Sequence, residues 1–207
     1  VSDAVHLVVW SDYLCPWCYV AAVRLRRIEA EFGDRVRLEW RSFLLRPYPD
    51  PKRTLEQFRT YTQSWLRPAA EADAPVFRPW ATDAGPPSHS VPPHVIAKTA
   101  ATLGPDAFQA MHDRLLRAYF EENRDVTHAE TLLELWRDVG LPDAAFARAS
   151  DPTIVREVVD QHNEAVRLEV TGVPSVLMVG SDVPVSGALP YATYHRWIER
   201  ALAGQTG

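Results

Sequence analysis

The stretch Cys15-Pro16-Trp17-Cys18 constrains this chain more than any other, because its two cysteines are the only two in 207 residues and stand three positions apart. Ahead of them His6-Leu7-Val8-Val9-Trp10 reads as a short buried strand. Behind them Ala21, Leu25, Ile28 and Phe32 recur at helical spacing until Gly33 stops the pattern. The pair therefore falls where a strand gives way to a helix, with Pro16 suited to the first helical turn, where its missing N–H is not needed. Unpaired N–H groups and the helix dipole favour negative charge at such a terminus. The thiolate is the reactive form of cysteine, and sites of this kind lower a thiol pKa from ~8.5 to roughly 3.5–7.5. Cys15 is thus expected to be the exposed, acidic, attacking sulfur, and Cys18, one turn into the helix, the shielded resolving sulfur.

Other uses of the pair fit less well. Tetrahedral zinc wants four ligands, and there is no second cysteine pair to complete a site. The seven histidines offer only the loose His89/His94 spacing, so no metal is expected. An inert structural bridge across so short a loop would constrain little chain entropy.

A 23.3 kDa chain is long enough for one sizeable core, or for one domain carrying an insertion. Its net charge of −5 and pI near 5.8 argue against nucleic acid or an anionic membrane as partner. No apolar run approaches the ~18 residues of a membrane span. The opening Val1-Ser2-Asp3-Ala4 lacks the basic start of a signal peptide, and the expected compartment is the cytoplasm. Because the first residue is valine, residues upstream of it stay an open matter.

Along the chain, Val36 to Phe43 alternates as a second strand, and Pro47, Pro49 and Pro51 then end regular structure. Thr54-Leu55-Glu56-Gln57 fits a capping box, with Phe58, Tyr61 and Trp65 on one helical face. Seven prolines fall from Pro68 to Pro93, a long loop with Phe77 and Trp80 in it that is expected to serve as a lid or docking surface over the cysteines. Helical patterns follow over Val95–Leu103, Phe108–Tyr119, a second capping box at Thr127–Glu130 running to Gly140, and a short piece from Pro142. Asp151-Pro152 opens a long helix with Ile154, Val155, Val158, His162 and Ala165 inward. Strands at Ser175–Val179 and Val183–Ser186, joined by a turn, and a helix from Tyr191 to Leu202 with Gly204 past its end complete the chain.

The order strand-helix-strand, helical block, helix-strand-strand-helix is the thioredoxin arrangement interrupted in its middle. The fold class expected is α/β: a thioredoxin-like fold with an inserted all-helical domain. Residues 1–52 and 152–207 would form the thioredoxin-like part and 53–151 the insertion. In that arrangement Thr171-Gly172-Val173-Pro174, just before the third strand, gains a specific meaning. The Val173–Pro174 bond is expected to be cis and to face the reactive cysteine.

Asp12-Tyr13-Leu14-Cys15-Pro16-Trp17-Cys18-Tyr19, Phe43-Leu44-Leu45-Arg46-Pro47, Tyr119 to Val126, Gly172-Val173-Pro174-Ser175 and Val185 to Pro190 together carry a resemblance that runs nearly end to end. The chain resembles the DsbA-like thioredoxin-fold oxidoreductases, and within them the cytoplasmic FrnE-like branch. The resemblance implies dithiol–disulfide exchange with a disulfide-bearing protein or a small thiol. Cys15 would be the nucleophile and Cys18 the resolving thiol, with Pro174 and Val173 as the cis-proline wall and Pro16 and Trp17 as supporting residues. Asp12 reads either as a strand-end turn former or as a buried carboxyl that takes the Cys18 proton. Phe43, Trp80 and His94 are assigned to the substrate pocket. No resident cofactor is expected, with glutathione or another low-molecular-weight thiol as the redox partner. Leu189 stands where relatives commonly carry glutamine, which puts any polar contact there in doubt. Sister branches, the hydroxychromene-carboxylate isomerases and kappa-class glutathione transferases, share the scaffold but place serine at the first thiol position. A glutathione-dependent isomerase or transferase and a non-catalytic thiol-binding module are the rival readings.

Overall fold

In a computed structural model, which describes residues 4–204, the apolar run ahead of the cysteines forms β1, Val5–Ser11, with six of its seven residues buried. A strand buried on both faces belongs inside a sheet rather than at its edge. Accordingly β1 pairs in parallel with β2 (Val36–Ser42) and antiparallel with β3 (Ser175–Met178), and β4 (Val185–Ser186) continues antiparallel from β3. The sheet order is β2-β1-β3-β4. Parallel pairing of β1 with β2 needs a crossover, and α1, Pro16–Phe32, supplies it. The turn after α1 runs through Gly33 at φ 56°, a conformation that a side chain would strain.

Between β2 and β3 lie α2 (Leu55–Thr62), α3 (Leu66–Ala69), α4 (Val91–Ala101), α5 (Pro105–Phe120), α6 (Ala129–Asp138), α7 (Asp143–Phe146) and α8 (Pro152–Arg167); α9, Tyr191–Gly204, closes the chain. Leu7 and Val9 of β1 pack with Leu25 and Ile28 of α1 and with Tyr194 and Ile198 of α9. The opposite face of β1 sets Val8 and Trp10 against Phe43, Ala165 of α8 and Val170. Helices therefore cover both faces of a small mixed sheet. A second core lies among the helices, where Phe58, Trp65, Trp80, Tyr119, Phe120 and Trp136 gather, and Tyr13, Leu14 and Tyr19 beside the cysteines join it. Residues 1–3 and 205–207, which the expected outer segments include, lie outside the described residues.

Several local expectations change. The Thr54 capping box forms, with Gln57 N–H on the Thr54 hydroxyl at 3.2 Å and Thr54 N–H on Gln57 Oε1 at 3.1 Å. The second does not: Thr127 donates to Asp125 Oδ1 at 2.7 Å and accepts from Ser88 N–H at 3.0 Å, so α6 begins at Ala129 without a side-chain cap. α4 starts at Val91, because Pro92 and Pro93 fit a first helical turn, where the N–H groups they lack would have had no intrahelical acceptor. Tyr61 and Val155 face solvent, since the apolar stripes of α2 and α8 are narrower than the sequence implies. The 183–186 strand shrinks to two residues, and Gly204 falls inside α9.

The proline-rich loop does not present its two aromatics over the cysteines. Phe77 and Trp80 are buried in the helical core, and Trp80 N–H donates to Thr62 Oγ1 at 2.9 Å. Asn123, at φ 54°, straps the loop by accepting from Ala81 N–H and donating to Arg78 O, both at 2.8 Å. At Leu189 the backbone is held by Arg24, whose guanidinium donates to the carbonyls of Ala188 and Leu189 at 2.9 and 3.1 Å.

Candidate active site

Cys15 is the N-cap of α1, in extended conformation, and Pro16 is the first helical residue. The turn is fixed by its own backbone: Cys15 N–H donates to Asp12 O at 3.1 Å and Cys18 N–H to Cys15 O at 3.0 Å. Both thiols are free. Cys18 is fully buried, as expected, but Cys15 keeps only 6% of its surface, which corrects the expectation of an exposed sulfur. The reason lies across the fold, where Cys15 Sγ points at the carbonyl oxygen of Val173 at 3.3 Å. The bond that follows, Val173–Pro174, is cis. Trp17, 36% exposed, is the member of the motif that solvent reaches most freely.

Burial pushes the Cys18 thiol well above its ordinary range, and the hydrogen bond and charge of Cys15 push it further. Against this act the Ser11 hydroxyl and the N–H of Asp12, which reaches Cys18 Sγ at 3.5 Å. Asp12 is sealed from water. Its Oδ1 accepts from Leu14 N–H at 2.6 Å and its Oδ2 from Leu45 N–H at 2.7 Å, and it also bonds the Ser90 hydroxyl. Burial outweighs these bonds and the charge of Arg46, so the carboxyl is pushed up to about 6. Asp12 thus closes a turn onto Leu14, as a strand-end residue would, and its carboxyl is buried, while it is the backbone N–H of Asp12 that meets the resolving thiol.

The proposed pocket trio does not come together. His94 bonds the backbone of Phe43, so these two meet, but both are interior residues. Phe43 packs with Val8 and Trp10 and edge-on to His162 at 4.9 Å, and His94 lies edge-on to Tyr13 at 4.8 Å. Trp80 belongs to the helical core, 5.1 Å from Phe58, with its indole N–H on Ala84 O. Sequence reasoning missed Ser11, which bonds Cys18, and Ser90 and Arg46, which act on Asp12. Arg46 lies within a stretch that carried the family resemblance; nothing in the sequence marks Ser90. Among the described residues no group of three or more His, Cys, Asp or Glu is placed to hold a metal, and no helix is long and apolar enough to cross a membrane.

A family model described as "DSBA-like thioredoxin domain" matches residues 6–199. The uncharacterized protein YwbO of Bacillus subtilis is 26% identical over 191 residues, covering 87% of this chain and 90% of its own. A solved structure of a "probable DsbA oxidoreductase" from Streptomyces coelicolor is 27% identical with a TM-score of 0.74, covering 96% of this chain and 90% of that one. The cytosolic disulfide reductase DsbM from Pseudomonas aeruginosa, in its structure with GSH, has a TM-score of 0.73 at 22% identity, covering 98% of this chain and all of that one. At that identity the likeness to DsbM is one of fold.

Proposed function

Since the chain belongs to the DSBA-like thioredoxin domain family, we propose that it is a thiol–disulfide oxidoreductase whose Cys15–Cys18 pair exchanges with disulfides of proteins or small thiols. The observation that carries this reading is the free Cys15 sulfur resting on the carbonyl of Val173 with the free, buried Cys18 one turn behind it. The Cys15 thiolate attacks one sulfur of a substrate disulfide, and the other sulfur leaves as a thiolate that takes up a proton. Cys18 then attacks Cys15 in the mixed disulfide, and the second substrate sulfur leaves. Two electrons pass from the dithiol to the substrate, which becomes two thiols; run backwards, the same steps oxidise a substrate dithiol.

The second attack needs the Cys18 proton removed from a thiol that burial holds protonated. In this reading Asp12 takes that proton; its backbone N–H on Cys18 Sγ and a carboxyl pushed up to about 6, ionised at neutral pH yet basic enough to accept a proton in passing, support the assignment. The exchange needs no resident cofactor. The sheet segments 1–52 and 152–207 hold the sulfur chemistry in this reading, and 53–151 borders the substrate. A cytoplasmic, FrnE-like setting is the one we adopt, supported by the sequence resemblance and by the fold shared with cytosolic DsbM. The isomerase or transferase alternative is disfavoured by Cys15, where those branches carry serine.

The test is a glutathione-buffered redox titration paired with an insulin-reduction assay. Cys15→Ser should reduce turnover to below ~1% of wild type, and Cys18→Ala should accumulate a mixed disulfide on Cys15. Full turnover in Cys15→Ser would rule the proposal out.

A further inference from the structure

Most buried or half-buried arginines here are claimed by carboxylates. Arg24 is bound by Glu71 and Asp73, Arg41 by Glu39 and Glu164, and Arg114 by Glu122 and Asp138. Arg46 and Arg53 differ: both are half-buried, and among the described residues neither guanidinium has a carboxylate within ion-pair distance or a hydrogen-bond partner. Both are nevertheless held in place. Arg53 lies over the rings of Phe58 and Tyr61, at 4.3 and 5.3 Å from their centroids. Arg46 is fixed at its backbone, its N–H on Ser90 Oγ at 3.1 Å and its carbonyl accepting from Ser90 N–H at 2.7 Å. The neighbouring Leu45 N–H is bound to Asp12, three residues before Cys15.

These anchors set Arg46 next to the residue that binds Asp12, and Arg53 against the ring of Tyr61. Tyr61, 44% exposed, lies within electrostatic reach of Cys15 and of both guanidiniums. Arg53 is pushed below its ordinary range by burial and then by the like charge of Arg46, while Asp50 offsets this only in part. Two cations held near one another with no carboxylate in ion-pair contact, Asp12 and Asp50 acting on them only at longer range, suit an anion that is not part of the protein. Leu45 and the 80% exposed Tyr48 border the same stretch with apolar surface.

We propose that Arg46, Arg53 and Tyr61 form a recognition site for the carboxylates of a small anionic disulfide, which they present to Cys15. The inference rests on the exchange reading above and names its substrate class. A small molecule suits the site because the attacking sulfur is almost enclosed, and a slim aliphatic disulfide reaches such a sulfur more readily than one set in a folded protein. The chemistry is unchanged: the dithiol is oxidised, the anionic disulfide is reduced to two thiols, and the arginines carry no proton or electron.

The test measures second-order oxidation of the fully reduced protein, by rapid alkylation and mass analysis, with three small disulfides. These are dianionic 4,4′-dithiodibutyrate, neutral bis(2-hydroxyethyl) disulfide and dicationic cystamine. Wild type should react in the order anionic, neutral, cationic, and salt should compress the spread. In Arg46→Gln/Arg53→Gln the anionic-to-neutral rate ratio should fall by about tenfold or more, and Arg53→Lys should retain part of it. Circular dichroism and thermal melting report whether each variant is folded; should the double variant unfold, the salt dependence and the Arg53→Lys ratio in folded protein decide. No anionic preference in wild type, or a ratio within twofold of wild type in the folded double variant, overturns the site. So does a preference found only with acidic peptides joined by a disulfide. Failure of wild type to react with any of the three would instead remove the exchange reading itself.

Discussion

Asp12 and the His94–His112 pair are sealed from water to a similar degree, and burial drives each toward its neutral form. Asp12 ends near 6, inside the working range of a cell, whereas both histidines are held down to about 3. The difference lies in what faces them. Asp12 is met by donors: the N–H groups of Leu14 and Leu45, the Ser90 hydroxyl and, at longer range, Arg46. These restrain the upward shift, so the carboxylate form prevails at neutral pH. The histidines are met by rings and cations. His112 packs on Trp40 and Phe108 and pairs its Nδ1 with Tyr13 Oη at 2.9 Å; Lys98 and Arg26 then oppose its protonation. His94 is opposed by Lys98, His112 and His162, with only its bond to the Phe43 backbone acting the other way. Burial alone therefore does not decide which form a sealed group holds near neutral pH; the groups that face it do. One site is built to titrate and the other to stay neutral.

The two sites should respond to pH with opposite sign, and the largest effect comes from the histidines. Each has a folded pKa below its unfolded value of 6.5, so its contribution to stability is full above pH 6.5 and is lost as pH falls toward 3. From pH 7 to pH 4 the loss is about 3 kcal/mol for each ring. Urea unfolding at pH 7, 5 and 4 should show it, and His112→Asn should recover about half of the histidine contribution. An unchanged acid loss in that variant would break the comparison.

Asp12 comes next. Its folded pKa lies above the unfolded 3.8, so its contribution is full below about pH 3.8 and is lost as pH rises through about 6. Acidification from pH 7 to 4 thus returns about 2 kcal/mol, and Asp12→Asn should make the acid loss steeper by that amount. In the same variant, resolution of a preformed Cys15 mixed disulfide should slow by about tenfold at pH 7 and lose its inflection near pH 6. An inflection that survives the substitution would assign the proton to another group.

The smallest effect sharpens the contrast within the acid's own shell. Ser90→Ala removes one of the bonds that favour the Asp12 carboxylate, so the inflection should move upward, and folding stability at pH 7 should drop by about 1 kcal/mol. A downward movement, read from the pH dependence of resolution, would mean that the donors do not set the poise of Asp12.

What the sequence determined by itself is local. A run of apolar residues, a cysteine, a proline and a helical stripe suffice to put Cys15 at a strand–helix junction, because strand, cap and helix are decided by neighbours in the chain. The Thr54 capping box was legible for the same reason: its two partners are three residues apart. The order of elements followed, and with it the expectation of a cis bond at Pro174. What only the tertiary structure decided are contacts between distant positions. Whether Asp12 is a turn former or a buried acid depended on Leu45 and Ser90 closing over it, and whether Cys15 is open depended on Val173, 158 positions away. Phe77 and Trp80 looked available for a lid and are spent in the helical core. Burial there is a bargain struck among many side chains at once, which no periodicity in one segment records. The same holds for Arg46 and Arg53, which the sequence shows only as two arginines among twenty: where their charges face, and that no carboxylate meets them, is a property of packing.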